Sequence, residues 1–171
     1  MPVSALAPAH AADGTPTPPA ARIEQGILGQ PWGPRKSFPA PGTNCRANTE
    51  PGTPWGGCQS KLGDLPLRTS WAYQHGIFYG VVMLGETYAT CSDLYATLQA
   101  AWGPGEPTAG LPRDALPARI WLLGTNSTIS AGFEQVIVPG FECRVVIVHL
   151  DWYNRIQAIE AERAEKRALG L

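Results

Sequence analysis

Leu67-Arg68-Thr69-Ser70-Trp71-Ala72-Tyr73-Gln74, then His75-Gly76, then Ile77-Phe78-Tyr79-Gly80-Val81-Val82-Met83-Leu84 is the stretch on which the fold turns. Its first half alternates a larger side chain with a small or polar one, the period of a strand that buries one face. His75-Gly76 has the length and the glycine of a two-residue hairpin turn. The second half is apolar throughout, as expected of a central strand covered on both sides. A β-hairpin with a buried second strand is therefore the predicted nucleus of the chain.

Downstream, Cys91, Leu94, Tyr95, Leu98 and Trp102 recur at helical spacing from about Tyr88 to Trp102. Thr90, with Asp93 three residues on, is the expected N-cap pair, and Gly103-Pro104 closes the helix. Ala118-Arg119-Ile120-Trp121-Leu122-Leu123, Ser127 to Phe133 and Glu142 to Leu150 then read as three antiparallel strands, separated by Gly124-Thr125-Asn126 and Pro139-Gly140 turns. Asn126-Ser127-Thr128 matches a glycosylation sequon but reads as turn sequence. Asp151 opens a last helix with Trp152, Ile156 and Ile159 on one face and Glu162 with Lys166 as an i, i+4 pair on the other. Past Ile159 the apolar stripe stops, and Ala161 to Arg167 is charged all round. The order implies an α+β core over residues 67–171. Its expected parts are an antiparallel sheet of about five strands (a hairpin and a three-stranded meander), an intervening helix and a C-terminal helix, with both helices on one face.

Upstream the pattern dissolves. The chain holds 19 Gly and 17 Pro, concentrated before residue 67 and between 103 and 117, so these are the irregular regions. Residues 23–66 carry one short apolar run, Ile23-Glu24-Gln25-Gly26-Ile27-Leu28, and are expected to form a strand-like edge followed by a stapled Pro/Gly-rich loop. Residues 1–22 are mostly Ala, Pro, Thr and Ser, too poor in apolar area to offset the entropy of ordering, and a disordered head is expected. Ala9-His10-Ala11 before Ala12-Asp13 reads either as the remnant of a secretory signal peptide or as a low-complexity linker.

The four cysteines favour export. Cys45, Cys58, Cys91 and Cys143 include no CxxC pair and have no zinc-like spacing to a histidine. Two disulfides fit an even count, and four cysteines allow three pairings. The favoured one joins Cys45 to Cys58 across the Pro/Gly loop and Cys91 to Cys143 from a helix start to a late strand. The competing reading is four buried thiols in a cytosolic protein. A periplasmic or extracellular location is the expectation.

With 171 residues the chain suits one domain, and no apolar run is long enough for a membrane span. A net charge of −1 with scattered basic residues gives little counterion release, so no nucleic-acid partner is expected. Nucleophilic catalysis needs a base beside a Ser or Cys, and no GxSxG elbow is present. His10 lies in the head, His75 in the hairpin turn and His149 at a strand end. Asp93, Glu134 and Glu142 are the acids that a glycosidase pair could draw on, but each is better explained as a helix start or a solvated strand end. No catalytic residue, metal or cofactor is expected.

Aromatic side chains in irregular sequence carry the functional reading. Trp32, Phe38 and Trp55 sit among Pro and Gly, where they either lid the sheet or anchor an interface. Arg163, Lys166 and Arg167 on the projecting helix end are the other interface candidates. A protein partner in a larger assembly is expected, the chain acting as a non-catalytic accessory subunit. The alternative is a small-ligand carrier or inhibitor-like domain with a pocket of Tyr73, Tyr79, Trp121 and Phe133, and the second alternative is a hydrolase that assembles from His75 and His149. Phe78-Tyr79-Gly80-Val81-Val82, the helix end Leu98-Gln99-Ala100-Ala101-Trp102-Gly103-Pro104, the strand Ile120-Trp121-Leu122 and the basic-acidic terminal helix form a pattern over residues 67–168. It is similar to small exported bacterial α+β proteins of unassigned function. That resemblance implies a periplasmic or envelope location and no catalytic position.

Overall fold

Residues 23–37, 43–47, 55–108 and 118–170 are described in a computed structural model of the chain. The head expected over 1–22, Phe38 and residues 109–117 of the Pro/Gly linker lie outside them. In chain order the elements are β1 (Gly26–Ile27), β2 (Gln30–Pro31), β3 (Gly33–Pro34), β4 (Thr43–Ala47), β5 (Trp55–Leu62), β6 (Leu65–Gln74), β7 (Ile77–Gly85), α1 (Tyr88–Trp102), β8 (Glu106–Pro107), β9 (Arg119–Leu123), β10 (Ile129–Val138), β11 (Phe141–His149) and α2 (Leu150–Ala168). The chain is α+β. Its main antiparallel sheet runs β4-β5-β6-β7-β11-β10-β9-β8, with β3 beside β7, while β1 and β2 pair as a separate ribbon.

The predicted hairpin stands as β6 and β7, and the meander as β9, β10 and β11. β11 returns beside β7, so the two units share one core. Among the described residues the main sheet has nine strands where about five were expected. The additions are β3, β8 and, more important, β4 and β5 in the segment expected to be a loop. β5 has a period-two pattern, with Cys58, Ser60 and Leu62 buried and Gln59 and Lys61 exposed. Gly56-Gly57 hides it from a search for strand-forming residues. The Cys45–Cys58 disulfide forms as expected, and the strands β4 and β5 that it links are paired.

Alternation assigns each strand residue to one of two sheet faces. The first face carries Trp71, Val81, Met83, Val145, Ile147, Ile129, Ala131, Phe133 and Trp121, all buried. α1 covers it with Cys91, Leu94, Tyr95 and Leu98; each large apolar side chain so buried contributes roughly 1.5–3 kcal/mol. The Cys91–Cys143 disulfide ties the start of α1 to β11. Gly85 is required beside it: a Cβ there would lie 2.7 Å from the Cys143 sulfur and 2.8 Å from the Cys91 sulfur. The helix spans the expected residues, but its cap lies elsewhere. Thr87, not Thr90, is the N-cap, its hydroxyl accepting from the Thr90 N–H at 3.1 Å.

The second face differs from the expectation too. Both helices were expected on one side, yet α2 packs on the face opposite α1, with Ile156 against Ala72, Ile77 and Tyr79. A bulge makes this possible. Ala72 pairs with Gly80 and Tyr73 with Phe78, which leaves Tyr79 as an extra residue of β7. Phe78 then joins the first core while Tyr79 and Ile77 turn to α2. Trp152 closes the helix start over Gly33, where a Cβ would sit 2.8 Å from the indole.

Candidate binding surface

The aromatic residues singled out in the sequence do not form one site. Trp32 is 9% exposed, stacks on Phe78 at 4.9 Å and donates its indole N–H to the Ile23 carbonyl at 2.7 Å. It lids the first face and is not an exposed anchor. Trp55 lies on β5 opposite Ala72, and its side chain is outside the described residues. The four proposed pocket residues are also dispersed. Tyr79 faces α2, whereas Tyr73 donates to the Arg35 carbonyl, Phe133 packs on Tyr95 and Trp121 packs on Trp102, all on the first face. An aromatic cavity shared by all four is therefore replaced by ordinary core packing.

The histidines stay apart as well. His75 pairs with Glu160 of α2, which holds that carboxyl below the usual carboxylate range. His149 lies against Trp32 and Trp152, and burial pushes its imidazole down. They share no partner, and neither holds a hydroxyl or thiol in a hydrogen bond among the described residues. Asp93 is exposed in the second turn of α1 and not at its start as expected, Glu134 pairs with Arg144 across β10 and β11, and Glu142 is exposed on β11. Among the described residues no three His, Cys, Asp or Glu side chains converge to hold a metal ion. No described helix is long and apolar enough to cross a membrane.

What the fold does expose is the other half of the second face. α2 packs over β7 and β11 at the His75 end of the sheet. The strand register defines the row next to it: Arg46 on β4, Gly57, Ser70, Val82, Val146, Gly132, Ile120 and finally Glu106 on β8. All eight point to the second face, and none of them is fully buried. The middle is apolar or small and the two ends are oppositely charged. Ile120 is 39% exposed and its neighbour on that face, Leu122, 61%. A row of ions borders this floor: Arg68 pairs with Glu86 at 3.0 Å, and Arg144 pairs with Glu134.

At the β4 end the floor deepens into an open groove of about 860 Å³ lined by Asn44, Arg46, Gly57, Gln59, Arg68 and Ser70, among others. Asn44 donates to the Gln59 side chain at 2.9 Å, and Arg68 is held by Glu86. The Arg46 side chain makes no ion pair or hydrogen bond among the described residues. Sequence reasoning missed this surface. The one signal was Arg119-Ile120-Trp121-Leu122-Leu123, apolar on both faces of a strand while the α2 stripe, only Trp152, Ile156 and Ile159, was too short to cover a whole sheet. Comparison with known proteins gave no matching family model, no matching curated protein and no matching solved structure.

Proposed function

We propose that this chain is an exported, non-catalytic binding module, an accessory subunit that docks on a larger envelope or extracellular protein assembly through the open half of its second sheet face. The observation that carries the reading is the exposure of Ile120 and Leu122 on one floor with Val82 and Val146, bordered by ion pairs. Apolar floor with a charged rim is the build of protein interfaces, and a soluble monomer gains nothing from leaving it wet. Two disulfides support an oxidising compartment, in keeping with the resemblance to small exported proteins. The last two turns of α2, with Arg163, Lys166 and Arg167 exposed, offer a second contact that adds steering charge.

The test is a photo-crosslinking side chain at Leu122, compared with one at Asp93 on the opposite side of the molecule, in the native oxidised protein in its source. A discrete adduct from Leu122 and none from Asp93, lost when Ile120 is changed to Glu, is the expected result. Equal labelling from both positions would show that the open face has no special standing, and the reading would be withdrawn.

A further inference from the structure

The two edges of the sheet are not equivalent. β8 is two residues long and contains Pro107, so it offers little to an incoming strand. β4 is five residues long, and among the described residues no strand pairs with its outer side. Its link to β5 through Cys45–Cys58 holds it in place. An edge of this kind is a template for an added strand, in which main-chain hydrogen bonds give affinity and alternate side chains give specificity.

Charge selects what could be added. Arg46 points from β4 to the second face beside Gly57, whose lack of a side chain leaves the groove floor open toward Ser70 and Arg68. A carboxylate carried by the next strand and leaning over this groove meets Arg46 first and Arg68 behind it. A second copy of β4 is a poor occupant: Thr43–Ala47 contains Arg46 and no acid, so self-pairing puts two guanidiniums on one face. We infer that β4 receives an extended acidic peptide segment by strand addition, its alternate Asp or Glu side chains drawn to Arg46, with Arg68 adding charge from two strands further in. The inference rests on the docking reading above and names the chemistry of the partner at one end of that surface.

The probe is a fluorescein-labelled, end-blocked Thr-Glu-Thr-Glu-Thr-Glu-Thr peptide titrated into the oxidised full chain and read by anisotropy. Binding should weaken as salt rises, and the Thr-Lys counterpart should bind at least about tenfold more weakly. Arg46→Glu should cost about tenfold and Arg68→Gln severalfold, with circular dichroism unchanged because both side chains are exposed. N-methylation of alternate peptide amides should abolish binding, since it removes the donors that a strand edge needs. Equal affinity for acidic and basic peptides, or full affinity of the N-methylated peptide, overturns the inference. So does a dimer in sedimentation that Arg46→Glu dissociates, which would make a second copy the occupant. If the peptide fails while the Leu122 adduct still forms, the acidic-strand assignment falls and the docking reading stands; if both fail, both fall.

Discussion

His149 stands where β11 passes into α2, its ring 6.0 Å from that of Trp32 and 6.3 Å from that of Trp152. As a strand end it was legible in the sequence. Its surroundings were not, because Trp32 comes from far upstream and the single hydrogen bond expected for the ring is missing at Nδ1, which is buried without a partner among the described residues. Burial lowers the imidazole below its usual 6.5, and Asp151, the backbone at His149 and Glu24 only partly oppose it. A proton there would also sit at the positive end of the α2 dipole. The consequence has a definite sign. The unfolded chain protonates this histidine at about 6.5 while the folded ring stays neutral, so stability is full above that value and declines as pH falls toward the lowered folded pKa. Melting temperature should therefore drop as pH falls below about 6.5, and His149→Phe should flatten that part of the profile. A slope left unchanged in His149→Phe would show that this imidazole does not carry the effect.

Among the elements, legibility followed how local the cause was. The span of α1 was readable because five apolar positions lie within it and a glycine and a proline follow it directly. Only its first turn was misplaced, since Thr87 and Thr90 have the same chemistry and bond to each other at 2.9 Å. Their substitution separates the roles: Thr87→Ala removes the acceptor for the Thr90 N–H and should cost about 1 kcal/mol in urea denaturation, whereas Thr90→Ala should stay within about 0.5 kcal/mol. Equal losses would mean that the cap is shared. β5 was not readable, because Gly56-Gly57 and a disulfide cysteine replace the β-branched residues by which strands are found. The placement of α2 was unreadable for a different reason. One extra residue at Tyr79 reverses the alternation along β7, and no periodicity within the strand announces where a bulge falls. The open binding floor follows from that placement. Ile120 and Leu122 look like core in sequence and are wet only because α2 lies over other strands.

At the scale of the molecule, the sheet is most protected at its centre and weakest at its ends, and the two disulfides are distributed accordingly. β7 and β11 are neighbours covered by α1 on one side and α2 on the other. Among the described residues β4 has one neighbour, and its cysteine is partly exposed. The chain-entropy effect of a cross-link grows with the loop it closes: separations of 52 and 13 residues correspond to roughly 4 and roughly 3 kcal/mol. Where that free energy appears should differ more than its size. Cys91 and Cys143 are buried in the main core, so replacing both with Ala also opens a cavity and should lower the global stability, reducing amide-exchange protection throughout β7, β11 and α1 together. Replacing Cys45 and Cys58 should release mainly β4, a local opening that leaves the exchange of β7 and β11 amides close to native. Hydrogen exchange read by mass spectrometry on the two double variants decides it, and a uniform loss of protection in the Cys45/Cys58 variant would show that the edge strand is part of the cooperative core. If the loss is confined to β4, the short-loop disulfide acts on the binding edge: it holds Arg46 and the outer amides of β4 in place, so the Cys45/Cys58 double variant should bind the acidic peptide more weakly while the rest of the sheet stays folded.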